Sequence, residues 1–416
     1  ICTGNQAGFA LDRLAEIGKD EFPHANEPLS KNRYVDDIFS GSDTTQGREL
    51  QISQVSALLE KAGFNLKFIV RSGEKPCEKA SADGKYMKLL GYKWNTEQDI
   101  LHPGVSELNL NQKFKGNIKP NNIPVVSEED ADRILESKAI TRRLVVSKIS
   151  ELYDPLGLWE PLKLQLKLLS AGLGSRPWDE KLTQNEQDFW KNILRRFVRF
   201  GELSALRFTL GDNIQNQKSL RLVCMSDAGQ SAGGAVVYIG SKIQDSNWTS
   251  SLLCSKSRLM KGTVPRNELS AILLMAELAY IVKRSLGDKV SEVIYLTDST
   301  IALSWIHNTN IKVRAYIFSR VQTIRRLIQM TIDNDVIPVY HIDGKINIAD
   351  LLTKPHDIQV ENISIGSEWQ QGPAWLTKDS VGFPYSRYEE VSVSSKQEID
   401  IKSECSKSSD SSFSIS

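Results

Sequence analysis

Val293-Ile294-Tyr295-Leu296-Thr297-Asp298-Ser299-Thr300 runs from four apolar residues through an acid into the start of a helix. Val293 to Leu296 reads as a buried strand, and Ser299 to Ile306 turns helical. Upstream, Leu220–Met225, Gly233–Ile239 and Leu252–Ser255 read as strands, and Glu268–Arg284 as a strongly apolar helix. Downstream, Val313–Met330 is a helix with basic positions, Val336–Ile342 is a strand, and Ala349–Leu352 begins a last helix. The order is three strands, helix, strand, helices, strand, helix. A mixed sheet flanked by helices satisfies it.

Four acids occupy special places in this pattern. Asp227 follows the first strand and precedes Ala228-Gly229. Glu268 lies in the first turn of its helix, after Pro265-Arg266-Asn267. Asp298 ends the most apolar strand, and Asp350 opens the last helix after Asn347-Ile348-Ala349. Singly, a strand-end Asp is a turn former or cap, and an early helix Glu complements the dipole. Four such placements in order are hard to explain as four caps. Phosphodiester hydrolysis needs an activated water and a neutralised leaving oxygen. Two divalent ions about 4 Å apart supply both, and hard oxygen ligands suit Mg²⁺ or Mn²⁺. Carboxylates from separate elements can converge on such ions because the cations remove their mutual repulsion.

The remainder of the chain bounds the reading. Its 416 residues are enough for two or three domains. A net charge of +1 does not mark a nucleic-acid binder, so local basic clusters matter more than the sum. Cys2, Cys77, Cys224, Cys254 and Cys405 are scattered and never form C-x-x-C. That pattern argues against a disulfide framework or a Cys-based zinc site and fits a reducing, intracellular setting, cytoplasmic or nuclear. No apolar run is long enough for a bilayer, so no membrane partner is expected. The start, Ile1-Cys2-Thr3-Gly4, lacks an initiator Met and a signal-peptide pattern, as if cut from something longer.

Ahead of the sheet, the first block reads as α+β to about residue 105. Phe9–Phe22 is a helix, and Arg33–Gly41 two short strands joined at an acidic turn. Gly47–Ala62 is an amphipathic helix stopped at Gly63, and Phe68–Val70 and Leu89–Trp94 are strand-like. The stretch 106–205 is more helical, with helices at Leu162–Leu173 and Gln184–Phe200 and a Pro- and Gly-broken segment at Ile149–Leu158. From Val391 the chain is rich in Ser, Lys and acids, and disorder is expected.

Ser226-Asp227-Ala228, Asn267-Glu268-Leu269, Thr297-Asp298-Ser299 and the run His341 to Lys354 (HIDGKINIADLLTK) resemble ribonuclease H of retrotransposons. The resemblance implies that Asp227, Glu268, Asp298 and Asp350 hold two ions, Mg²⁺ or Mn²⁺, and that His341 is the mobile-loop His that helps product release. Tyr34-Val35-Asp36-Asp37 resembles the catalytic hairpin of reverse transcriptases, and Leu90-Gly91-Tyr92-Lys93-Trp94 the strand that holds the primer end. Val146 to Pro161 (VSKISELYDPLGLWEP), with Trp178-Asp179 after it, resembles the connector of the BEL/Pao retrotransposon class. A Pol polyprotein fragment of that class is the reading these resemblances give. The fold class is then α/β and α+β multidomain. Residues 1–105 would be the C-terminal part of a reverse-transcriptase palm, and 106–205 a mostly helical thumb or connector. A ribonuclease H-like domain at 215–360, a linker at 361–390 and a disordered Ser-rich tail at 391–416 would complete the chain.

A polymerase needs a further Asp from an earlier palm strand, yet Asp12 and Asp20 lie in the helical stretch before Tyr34. Polymerisation by this chain alone is not expected, even with Asp36 and Asp37 intact. Proteins that this region resembles sometimes carry the name Pao retrotransposon peptidase. An aspartic peptidase needs Asp-Thr/Ser-Gly, and Asp43-Thr44-Thr45 and Asp298-Ser299-Thr300 lack the Gly, so proteolysis is not expected either. The expected partners are an RNA·DNA hybrid and the rest of the polyprotein. Basic clusters stand at Arg142, Arg143 and Lys148, at Arg195, Arg196 and Arg199, and at Lys312, Arg314, Arg320, Arg325 and Arg326. Phosphate contacts would dominate binding, and Arg320, Arg325 and Arg326 are the preferred contacts because they belong to the catalytic block. Two other readings stand beside this one: a non-catalytic nucleic-acid-binding remnant, and a DNA-cutting nuclease of the same fold.

Overall fold

The apolar strand quoted above lies inside a six-stranded sheet. The structure, a computed structural model, describes residues 3–81, 83–104, 127–136, 139–209, 217–243, 247–308, 312–332, 337–353, 358–391 and 412–414. Most of the start of the expected connector, and the expected tail apart from Val391 and the backbone of 412–414, lie outside them. Two compact units divide the chain: residues 1–90 with 94–99, and residues 91–93 with 100–416.

In the second unit the sheet strands are β1 (Gln217–Ala228), β2 (Ala232–Ile243) and β3 (Trp248–Leu259). Helix α1 (Val264–Leu286) follows, then β4 (Val290–Thr297), α2 (Thr300–His307) and α3 (Ala315–Ile332). β5 (Val339–Ile342) and β6 (Tyr385–Ser386) complete it. The spatial order is β6-β5-β4-β1-β2-β3. β1, β2 and β3 pair antiparallel, β4 runs parallel to β1, and β5 parallel to β4. This is the expected mixed sheet. Side chains alternate across a strand, so Leu220, Leu222 and Cys224 join Ala235, Val237 and Ile239 in the core beneath α1, α2 and α3. Helix α1 begins four residues before the expected Glu268, because Pro265 in its first turn fits a helix start.

Arg221 alternates to the opposite face and is fully buried. Its guanidinium lies between Trp248 (4.1 Å) and Phe383 (4.6 Å) and donates to the carbonyls of Lys378 (2.7 Å) and Leu376. Burial pushes it down to about 10. The segment 361–390, expected as a linker, is therefore packed. Trp369, Leu376 and Phe383 are buried, and Tyr385–Ser386 pairs with β5. Its apolar residues lie in or between a one-turn α-helix (Glu368–Gln371) and short 3₁₀ turns, which carry no period to read.

The connector motif also docks on the sheet. Asp154 is buried and accepts from Tyr92 Oη (2.7 Å) and from the amides of Leu158 and Trp159 (2.9 Å each). These bonds fold Asp154–Trp159 into a hook. The hook reaches β3: the Ser255 amide donates to the Leu156 carbonyl (2.8 Å), and Ser255 Oγ to that of Gly157. Glu160, at the start of helix Glu160–Ala171, accepts from the Ser257 amide (3.1 Å), Ser257 Oγ (2.7 Å) and Lys167 Nζ (2.5 Å). An outer strand is covered in this way.

In the first unit, Ala15, Ala25, Leu29, Val55, Leu58 and Leu59 form the core. Helix Thr45–Lys61 is capped by Thr44, which accepts from the Gly47 amide (3.0 Å). Arg33–Tyr34 and Asp37–Ile38 form the expected hairpin. Phe68–Val70, expected as a strand, has no strand partner and is partly exposed. The expected strand Leu89–Trp94 is broken into Tyr86–Leu89 and Tyr92–Asn95, because Leu90 (φ 48) and Gly91 (φ 92) take left-handed conformations.

Candidate active site

Register alone brings two of the four acids together. Thr297 of β4 lies beside Ser226 of β1, so Asp298 and Asp227 leave the same ends of adjacent parallel strands. Neighbouring strands are about 4.8 Å apart, so the two side chains share one edge of the sheet. Glu268 comes from the second turn of α1. Buried Asn267 fixes that turn by donating to the carbonyls of Gly229 (2.9 Å) and Gln230 (3.1 Å) in the β1–β2 turn. Glu268 Oε2 accepts from Ser299 Oγ (2.5 Å), and Ser299 itself caps α2.

Asp350 sits in a short 3₁₀ turn, Ile348–Leu352, rather than in an α-helix. Buried Asn347 holds this turn by donating to the Ser226 carbonyl (3.0 Å), and Thr353 Oγ1 donates to Asp227 Oδ2 (2.8 Å). Gly234 stands opposite Asp227, and a Cβ there would come 2.5 Å from Leu352 Cβ. The missing side chain lets the Asp350 turn approach β2.

The charges repel one another in a partly buried place. Burial, followed by the charges of Asp298 and Asp227, pushes Glu268 up to about 7 against the Ser299 hydrogen bond. Burial, then the charges of Asp227 and Asp350, pushes Asp298 up to about 7 as well. Asp298 Oδ1 is buried with no hydrogen-bond partner. Among the described residues no three His, Cys, Asp or Glu side chains stand ready-made as a metal-ligand set. The donor chemistry nevertheless fits a hard divalent cation: every group is a carboxylate, one oxygen is an orphaned acceptor, and added positive charge would relieve the repulsion.

That repulsion has a measurable consequence. A carboxyl whose folded pKa is raised keeps its proton when the unfolded chain has lost it. Stability is then lost as pH rises from about 4.5 to about 7, and stays lost above. Mg²⁺ is therefore expected to raise Tm more at pH 8 than at pH 5, where protons occupy the carboxyls. Equal shifts at both pH values would contradict this.

His341 lies in β5, one residue before its end, beside Thr297 and with β6 on its other side. It is a strand residue rather than a loop residue. Burial lowers its pKa, while the Asp298 main-chain carbonyl and the charge of Asp343 oppose the shift. The three arginines singled out on α3 do not act as one group. Arg325 turns inward and donates from Nε (3.0 Å) and Nη2 (2.7 Å) to the Ile306 carbonyl at the end of α2. Arg320 stacks on Tyr316 (3.5 Å), and Arg326 is exposed on another face. Side-chain direction decided this, and a sequence does not show it.

The other basic clusters are largely paired as well. Arg143 bonds Asp179, and buried Lys148 bonds Glu151. Arg195 bonds Glu128 and Asp132, and Arg199 bonds Glu202 and Glu361. In the first unit Asp36 and Asp37 are exposed at the hairpin turn, where Val35 has φ 53, a strained value for a β-branched residue.

Residues 141–299 match a family model described as Pao retrotransposon-like RNaseH-like domain. The chain carries a Pao retrotransposon-like RNaseH-like domain. The match begins at the cap of helix Arg142–Glu151 and runs through the connector hook into the sheet. Among solved structures, the chain is similar to ribonuclease H1 from Halobacterium salinarum NRC-1. That likeness has 15% identity and a TM-score of 0.24, and covers 32% of this chain and 93% of that one. LC11-RNase H1 in complex with an RNA/DNA hybrid gives 15%, 0.24, 32% and 94%. Foamy viral protease-reverse transcriptase dRH in complex with double-stranded DNA gives 13% and 0.38, covering 79% of this chain and 49% of that one. No curated protein matches the chain. No helix among the described residues is long and apolar enough to cross a membrane.

Sequence reasoning missed the residues that hold the acids in place: Asn267, Ser299, Asn347 and Thr353. Each lies within three positions of an acid and is polar yet buried, and an apolar neighbourhood around a polar residue was the available signal.

Proposed function

We propose that the RNaseH-like domain cuts the RNA strand of an RNA·DNA hybrid by metal-dependent hydrolysis. The observation that supports it most is the orphaned, buried Oδ1 of Asp298 among the carboxylates of Asp227, Glu268 and Asp350. In this reading those four residues hold two Mg²⁺ or Mn²⁺ ions. Such ions, when bound, make a metal-bound water nucleophilic near neutral pH and neutralise the leaving oxygen. Ser299 orients Glu268, Thr353 orients Asp227, and His341 lies beside the Asp298 main chain. The hybrid is recognised by its shape and by 2′-hydroxyls on one strand. Arg320 and Arg326 remain candidate phosphate contacts, whereas Arg325 holds α2 against α3.

The hairpin acids Asp36 and Asp37 belong, on this reading, to a reverse-transcriptase palm remnant, with 1–105 and 106–205 its palm and connector portions. The chain is proposed to be part of a Pol polyprotein of the BEL/Pao class, working inside cells.

The test uses the full chain with Mg²⁺ and three end-labelled 20–30-mers of about equal length: a hybrid, a DNA duplex and an RNA duplex. Shortening of the RNA strand of the hybrid alone is expected. Cutting of duplex DNA at a comparable rate would favour a DNA nuclease of the same fold. Binding without cutting would favour a non-catalytic remnant.

A further inference from the structure

Asp298 is seated by the turn that follows β5. Gly344 lies against its carboxylate: a Cβ at Gly344 would come 2.7 Å from Asp298 Oδ2. His341, three residues earlier, faces the Asp298 main chain. The position of this turn is set by β5, and β5 is a strand of only four residues. Beyond it lies β6, which pairs Ile342 with Tyr385 and His341 with Ser386. The rings of Tyr340 and Tyr385 stack at 4.3 Å.

The segment that carries β6 is anchored at several independent points. Arg221 holds the carbonyls of Leu376 and Lys378 from the buried face of the sheet. Asp379 accepts from Lys242 Nζ (2.7 Å) and Trp248 Nε1 (2.8 Å). Past β6, Tyr388 stacks on His307 at 5.3 Å, and His307 Nε2 lies 3.0 Å from the Val339 carbonyl at the start of β5. The segments on both sides of β6 are thus tied to the sheet that it extends, and β6 itself lies along β5, the strand leading into the His341–Gly344 turn. A surface linker would need none of these ties.

We infer that residues 374–391 form a strap that positions Asp298: by extending the sheet past β5, β6 fixes the His341–Gly344 turn against the Asp298 main chain and carboxylate. Tyr385 is a positioning residue, acting through β5 on Asp298. The inference rests on the metal-site reading of Asp298 but does not need the RNA-cutting reading to hold.

The test compares the full chain with Tyr385→Pro and Tyr385→Phe. Proline removes a main-chain donor and fixes φ near −65°, away from antiparallel values, whereas phenylalanine keeps the pairing and the ring stack. Mn²⁺ affinity is read by titration well below the melting range, together with Tm and the rate of hybrid cleavage. Groups that orient metal ligands typically govern affinity by about tenfold or more. Tyr385→Pro is therefore expected to weaken Mn²⁺ binding about tenfold while remaining folded, with Tyr385→Phe unchanged. A lower Tm with unchanged Mn²⁺ affinity would make the strap merely structural and overturn the inference. If Tyr385→Pro fails to fold, Ser386→Pro is read in its place against the same criteria. A wild type that binds Mn²⁺ but cuts nothing would sink the proposed activity, and the strap would still be judged by affinity.

Discussion

Asp298→Asn is expected to abolish hybrid cleavage and, in the metal-free protein at pH 8, to raise stability. The two effects have opposite sign because, on the proposed reading, one group would be at once a ligand and a repelled charge. Its folded pKa lies near 7, against an ordinary value of 3.8. Above pH 7 the folded state must hold an ionised carboxylate beside Asp227 and Asp350, in a place where Oδ1 has no donor. Asparagine removes that charge and keeps the shape. The gain should be up to about 2 kcal/mol, discounted for partial solvent access, and should vanish below about pH 4, where aspartic acid is neutral too. Loss of a carboxylate that binds metal should exceed the roughly 100-fold cost of disturbing an outer-shell partner. Urea unfolding at pH 8 and pH 4, with cleavage rates measured alongside, checks both. A variant that is less stable at pH 8 would refute the electrostatic account even if activity were lost.

Gly157→Ala is expected to destabilise the second unit by about 3 kcal/mol or more. Gly157 has φ +70, and an added Cβ would lie 1.9 Å from the Ser255 carbonyl oxygen and 2.7 Å from its carbon. The obstacle is backbone on the covered outer strand and cannot rotate aside. Relief requires the hook to lift, which would break the bonds of Leu156 and Gly157 to Ser255 and expose the edge of β3. Lost cooperativity, seen as a changed urea m value, should accompany the drop. A change within about 0.5 kcal/mol would mean that the connector does not dock on β3 as described.

Much of the half that carries the six-stranded sheet was legible because its signals are local. Val293–Leu296 is short, continuously apolar and rich in β-branched and aromatic residues, which favours a covered strand, and the acid just past it then falls at a strand end. The same logic placed Asp227, and parallel register then set the two side by side. Glu268 was placed one turn too early because Pro265 extends α1 backwards. The packed segment 361–390 was illegible for a different reason. Its buried residues Trp369, Leu376 and Phe383 are separated by Gly, Pro and 3₁₀ turns, and their partners lie far back in the chain: Arg221 of β1 for Leu376 and Phe383, and the Leu158 carbonyl for Trp369. An arginine between Leu220 and Leu222 looks like the exposed face of a strand, and only the segment above it makes that position an interior one. Arg325 shows the same limit, since inward or outward aim on α3 depends on where α2 ends.

The central claim is that Asp227, Glu268, Asp298 and Asp350 form one metal-dependent site for cutting RNA. Its most direct measurement is a Mg²⁺ titration of hybrid cleavage by the full chain, with Asp227→Asn beside it and both proteins shown to be folded. The account predicts RNA-strand cleavage that needs the ion and is lost in Asp227→Asn. Cleavage that persists in Asp227→Asn, or without any divalent ion, would contradict it.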